Sequence, residues 1–215
     1  MISKYGRFIV IEGLEGAGKS TAIQAIKDYA ISVGISPDDI VCVREPGGTV
    51  LAEKLRALVK QEHEGEVLND RTELLMMYAA RVQLVENVIK PALMKGKLVI
   101  GDRHDWSTLA YQGAGRGIPD CQLMPIRDVA LGGFEPDFYI YMDVDPMLGM
   151  ERARGRGELD RIEMSGLAFF QRARLKFMDL AAKTDHAAMV DSSGTIEETA
   201  EKVKATLHWL SRDFK

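Results

Sequence analysis

The chain has 215 residues, 46% of them hydrophobic and 28% charged, and its 28 Lys and Arg against 32 Asp and Glu leave a net charge of −4. That length predicts a single domain over residues 1–215, and the apolar content excludes intrinsic disorder. A pI near 5.7 with no block of basic residues argues against a nucleic-acid partner, because neutralising a phosphate polymer takes clustered Lys and Arg.

From the amino terminus, residues 8–12 form a short apolar run that reads as the first strand. It is far shorter than a signal peptide's hydrophobic region or a membrane span, so the expectation is a cytoplasmic protein with no membrane partner. Helical periodicity follows over 19–33, then a strand at 40–43 and helices over 50–60 and 71–94, the last with Pro91 near its end. Strands at 98–101, 138–143 and 187–190 alternate with helices over 146–154, 166–182 and 196–211. Each strand is a nearly continuous apolar run rather than an alternating one, as in a parallel sheet covered on both faces. Cys42 and Cys121 stand far apart with no metal-ligand spacing and read as reduced thiols.

The strongest local motif is Gly13-Leu14-Glu15-Gly16-Ala17-Gly18-Lys19-Ser20, which fits G-x-x-x-x-G-K-[ST] between a strand and a helix. Glycines there let backbone N–H groups turn toward phosphate oxygens, and the helix N-terminus adds positive potential. Lys19 reaches the β- and γ-phosphates and Ser20 offers a hydroxyl to Mg²⁺. A second motif, Gly101-Asp102-Arg103-His104, lies just past a buried strand, where open α/β sheets bind ligands. Asp102 can orient Mg²⁺ or its water, and Arg103 can grip a phosphate. The alternative, a surface salt bridge at a strand end, loses further ground beside a phosphate loop. A third cluster runs from Arg152 to Arg161 and carries four arginines and two glycines. Arginine on a Gly-hinged segment suits a lid that closes over a triphosphate, although Glu158, Asp160 and Glu163 could neutralise it internally.

Together with Arg44-Glu45-Pro46-Gly47-Gly48-Thr49, Tyr78-Ala79-Ala80-Arg81 and Ala110 to Gly117, these blocks resemble bacterial thymidylate kinases, in family order from the amino terminus to beyond residue 160. The resemblance implies an α/β P-loop nucleoside monophosphate kinase fold, a five-stranded parallel sheet flanked by helices with a small lid near 152–163. It implies ATP and thymidine monophosphate as substrates, Mg²⁺ as cofactor, a homodimer, and thymidine triphosphate supply as the role. Gly13, Leu14, Glu15, Gly16, Ala17, Gly18, Lys19, Ser20, Thr21, Arg152 and Arg156 would bind ATP, with Ser20 and Asp102 at the metal. Arg56 and Arg103 would hold the monophosphate, Glu15 the 3′-hydroxyl, and Arg81, Thr108 and Gln112 the polar edge of the base. Tyr111 would crowd the ribose 2′ position. Lys19, Arg103 and Arg156 would be catalytic, with Glu12 as a supporting acceptor.

One departure is Met77, which occupies the position of the family's stacking aromatic ring. It shares a helix face with Arg81, and its thioether can cover a base. His104 is expected to pack and orient rather than transfer protons, while Trp106 is open between core and site. A different nucleotide kinase is disfavoured by Glu15 and the R-E-P-G-G-T run. A signalling GTPase would need an Asn-Lys-x-Asp run, which is missing. A regulatory nucleotide-binding module is supported by Met77 alone.

Overall fold

The computed structural model describes residues 6–155, 160–208 and 210. Five strands form one all-parallel sheet in the order β2-β3-β1-β4-β5: β1 Arg7–Gly13, β2 Ile40–Arg44, β3 Leu98–Asp102, β4 Phe138–Asp143 and β5 Ala187–Asp191. Their limits agree with the apolar runs to within a residue at either end. Continuous burial holds for the central strands, where Phe8 to Ile11, Leu98 to Ile100 and Tyr139 to Met142 are buried. It fails for the edge strands, where Cys42 and Met189 are exposed, because one side of each edge lacks a strand and its covering is thinner. The chain leaves β1 for β2, returns to β3, and then crosses β1 to reach β4. This reversal opens a crevice at the carboxyl end of β1.

The helices α1 Lys19–Ser32, α2 Val50–Lys60, α3 Asp70–Leu84, α4 Lys90–Met94, α5 Asp105–Thr108, α6 Asp120–Leu131, α7 Pro146–Arg154, α8 Leu167–Lys183 and α9 Ile196–Ala205 surround the sheet. The helix expected over 71–94 runs on through a π-helical turn, Val85–Ile89, ahead of Pro91. Widening at that point accommodates a ring that would otherwise press on the preceding turn. Two helical stretches had no counterpart in the sequence reading: α5, which continues as a π-helical segment Leu109–Gly115, and α6, which holds Pro125 in its interior. The last helix stops at Ala205, short of 211, yet Leu207 and Leu210 remain fully buried. Of the expected lid, residues 156–159, including Arg156, lie outside the described residues.

The start of α7 is locked to the loop after β1. A Cβ on Gly16 would meet the Gly149 carbonyl oxygen at 2.2 Å, and one on Gly149 would meet the Glu15 carbonyl oxygen at 2.6 Å. Gly16 also has φ +72°, so only glycine fits both the turn and the approach.

Candidate active site

The loop 13–18 separates two cavities at the carboxyl end of the sheet. The first, about 160 Å³, is lined by Glu15, Lys19, Arg56, Met77, Asp102, Arg103, Tyr111 and Gln112 among others. The second, about 220 Å³, is lined by Gly16, Gly18, Lys19, Ser20, Asp102 and Arg152. A further groove of about 310 Å³ shares Gly16, Gly18 and Arg152 with it and reaches Thr21 and Ser192. Lys19 and Asp102 line both of the first two cavities.

Around the second cavity the loop works through its backbone. Leu14 and Ala17 are buried and line neither cavity. The Lys19 ammonium donates to the Gly13 and Leu14 carbonyls at 3.2 and 2.8 Å. Burial and the nearby Arg103 cation push its pKa down to about 8, against the pull of Asp102, Glu15 and Glu12. Arg152, carried on α7, donates to the Ser192 and Ser193 carbonyls at 2.9 and 3.1 Å, bridging the strand β5 end to the loop.

Asp102 Oδ1 is buried with no hydrogen-bond partner among the described residues, and it shares the second cavity with Ser20. An unpaired carboxylate oxygen beside a hydroxyl is the donor set expected for Mg²⁺ that keeps most of its water and takes phosphate oxygens. The residues present therefore fit that ion. Among the described residues no cluster of three or more His, Cys, Asp or Glu could hold a metal alone.

In the first cavity Arg103 is the hub. Its backbone sits at φ +71°, a left-handed conformation that costs a non-glycine residue about 1–3 kcal/mol. Its amide donates to Ile11 O at 2.9 Å. Nη1 donates to Gly13 O at 2.8 Å and Ser107 Oγ at 3.1 Å, and Nη2 to Glu15 Oε1 at 2.6 Å. Glu15 Oε2 accepts the Tyr111 hydroxyl at 2.8 Å. Burial raises the Glu15 carboxyl, but the Arg103 and Lys19 cations outweigh it and hold it below the ordinary range. Tyr111 stacks on Phe169, which fixes its ring. Arg56 reaches from α2 to the Pro46 carbonyl at 2.8 Å.

Arg81 and Thr108 stand behind this wall rather than in it. Arg81 is 1% exposed; Nε donates to Glu45 Oε2 at 2.6 Å, and Nη2 to His104 O and Thr108 Oγ1 at 2.8 and 2.9 Å. Its Nη1 has no hydrogen-bond partner among the described residues, with Asp105 Oδ1 at 3.5 Å. Glu45 also receives His104 Nδ1 at 2.7 Å, and the His104 ring is packed edge-on against Phe8 and Phe134. His104 is thus a packing residue behind the cavity. Trp106 stacks on Tyr139 with centroids 4.0 Å apart and belongs to the core.

The sequence reading gave no role to Glu45, Glu73 or Ser107. Glu73 was detectable: Glu73, Met77 and Arg81 recur at four-residue spacing, which puts them on one face of α3. Ser107 serves Glu12. The fully buried Glu12 carboxylate accepts the His104 and Ser107 amides at 2.8 and 3.2 Å and the Ser107 hydroxyl at 2.6 Å, tying β1 to α5. Burial raises its pKa from 4.5 to about 7, with Ser107, Arg103 and His104 pulling the other way. A carboxyl raised on folding stabilises the fold below its unfolded pKa and loses that contribution as pH rises through 7. Between pH 4 and pH 8 the stability difference between wild type and Glu12→Gln is expected to move by about 3 kcal/mol in favour of the amide. Urea unfolding at both pH values measures it, and a constant difference would mean that folding leaves the Glu12 pKa at its unfolded value.

Two cavities that share Lys19 and Asp102 suit an enzyme that passes a phosphoryl group between two phosphorylated ligands; on this strand order the fold is that of the P-loop nucleoside monophosphate kinases. The sequence family model described as thymidylate kinase matches residues 11–203. A thymidylate kinase of Vibrio vulnificus (strain YJ016) is 56% identical over 210 residues, covering 97% of this chain and 98% of its own. One from Photobacterium profundum is 53% identical over 207 residues, covering 96% and 98%. The crystal structure of thymidylate kinase from Ehrlichia chaffeensis superposes with a TM-score of 0.73 at 31% identity, covering 94% of this chain and 98% of that one. The chain belongs to the thymidylate kinase family.

Proposed function

We propose that this enzyme transfers the γ-phosphoryl group of ATP to the phosphate of thymidine monophosphate, giving ADP and thymidine diphosphate on the route to thymidine triphosphate. The observation that carries the reading is that Lys19 and Asp102 line both cavities. A charge at that junction can neutralise the group in flight, while the loop grips one ligand and Arg56 and Arg103 the other. The acceptor phosphate has a second pKa of about 6, so near neutral pH it is already mostly a dianion and no general base is required. The protein's task is to bring two anions into line against their repulsion. Ser20 and Asp102 would hold Mg²⁺, which supplies charge neutralisation and orientation of the phosphate oxygens when bound.

In this reading Met77 covers the base, Gln112 addresses its polar edge, and Arg81 acts from behind the cavity wall through Nη1, which has no hydrogen-bond partner among the described residues. Thr108 positions Arg81, Tyr111 selects the deoxy sugar, and Glu15 takes the 3′-hydroxyl. Arg152, anchored on α7, and Arg156, from a lid near 152–163, address ATP within a single cytoplasmic domain. No described helix is long and apolar enough to cross a membrane. We also infer a homodimer, because α2, α3 and α6 pack in series and expose Leu51, Leu58, Leu75 and Val129. Light scattering that finds only a monomer would overturn that part.

The test of function is ADP formation from ATP with each common nucleoside monophosphate offered separately, with and without a chelator. Strong preference for thymidine monophosphate, lost on chelation, is expected; preference for another monophosphate would reassign the acceptor.

A further inference from the structure

Gln112 lies on the cavity wall with its two ends in different states. Its Nε2 donates to Glu73 Oε1 at 2.7 Å, whereas its Oε1 is buried without a hydrogen-bond partner among the described residues. An amide can present either end to a ligand, and which end is free depends on what holds the other. An ionised carboxylate only accepts, so Glu73 captures the NH₂ end and leaves the carbonyl without a protein partner.

Glu73 is itself held in the ionised state. It is completely buried on α3, accepts Arg116 Nε and Nη2 at 3.3 Å each, and also accepts Arg161 Nη2. Arg161 is anchored in turn: its Nε donates to Val59 O at 2.9 Å and its amide to Lys60 O at 3.3 Å. Against the cost of burial, the Gln112 amide and these two arginines keep the Glu73 carboxyl below its ordinary range. The carboxylate therefore faces Gln112 in the form that can only accept.

We infer that Glu73 is a positioning residue for base selection: by holding the NH₂ of Gln112, it sets Gln112 Oε1 as the acceptor that the base must meet. An acceptor fixed there suits a pyrimidine whose ring N3 carries a hydrogen, as in thymine and uracil. It opposes cytosine, whose N3 is itself an acceptor, because two facing lone pairs repel and each loses its bond to water. The inference rests on the proposed placement of the base against Gln112.

The experiment compares Glu73→Gln and Gln112→Leu with wild type, measuring Kd for thymidine monophosphate and for deoxycytidine monophosphate by calorimetry on the full chain. A glutamine at 73 can donate as well as accept, so it can pair with Gln112 either way round and frees it to flip. The expected result is that the thymidine-over-cytidine preference falls about tenfold or more in Glu73→Gln and at least as far in Gln112→Leu. A purely structural role for Glu73 would weaken both ligands alike and leave the ratio unmoved. If Gln112→Leu lowers the ratio and Glu73→Gln does not, the positioning role is overturned while the base-reading role of Gln112 stands. If neither moves it, Gln112 does not face the base and both readings fall. Should Glu73→Gln fail to fold, Glu73→Asp keeps the charge that the arginines need and withdraws it from Gln112 by one methylene. The ratio is then read in the same way, and an unchanged value overturns the inference.

Discussion

Lys19→Ala is expected to lower kcat by about 10²–10³-fold, the scale seen when one charge-stabilising donor is removed from a transition state. KM for thymidine monophosphate should stay within about threefold of wild type. The reason lies in where the ammonium sits. It lines both cavities, so its charge serves the group moving between them more than either ligand at rest. Burial and Arg103 depress its pKa to about 8, which still leaves it mostly cationic at pH 7. Polyphosphate arriving in the loop favours the charged form further. Steady-state kinetics with both substrates varied separates the terms. An alanine variant that keeps its kcat and loses only affinity would remove Lys19 from the transfer step.

Arg81→Ala is expected to cost about 3–5 kcal/mol of stability in addition to weakening monophosphate binding. The sequence reading assigned Arg81 to the base alone, yet its guanidinium is the counter-ion of a buried cluster. Glu45, held below the ordinary carboxylate range by Arg81 and His104 against burial, would be left without its main partner. Asp105, which takes the Tyr78 hydroxyl at 2.9 Å and Arg127 at 2.5 Å, would lose a neighbouring cation at 3.5 Å. Urea unfolding of the ligand-free protein reads the loss, and adding Glu45→Gln should restore part of it, because the stranded charge is then gone. A loss under about 1 kcal/mol would show that the cluster contributes little net stability.

The sheet was legible because its central strands are buried on both faces, so β1, β3 and β4 read as unbroken apolar runs. The helices α2 and α7 start and stop where the periodicity places them, and α2 opens with Thr49 accepting the Ala52 amide at 3.1 Å. Residues 105–131 were not legible as helix. A glycine-rich run over 110–117 resembles a loop, a π-helical segment abandons the 3.6-residue period, and Pro125 interrupts the rest. At the site, Glu15, Lys19, Asp102 and Arg103 stood out because glycine-rich and strand-end motifs mark them locally. Glu45 and Glu73 did not, since their roles come from Arg81 and Gln112, 36 and 39 residues further along the chain. Such pairings exist only once the fold has brought α3, the loop after β2 and the π-helical segment together.

The backbone contact between Gly16 and Gly149 has a consequence for ligand entropy. With no side chain between them, the phosphate loop and the first turns of α7 move as one body, and Arg152 at the far end of that helix keeps its place relative to the loop before any nucleotide arrives. The ordering cost of that half of the donor site falls on folding rather than on binding. A methyl group on Gly149, which lines neither cavity, would transfer part of that cost back to the encounter with ligand.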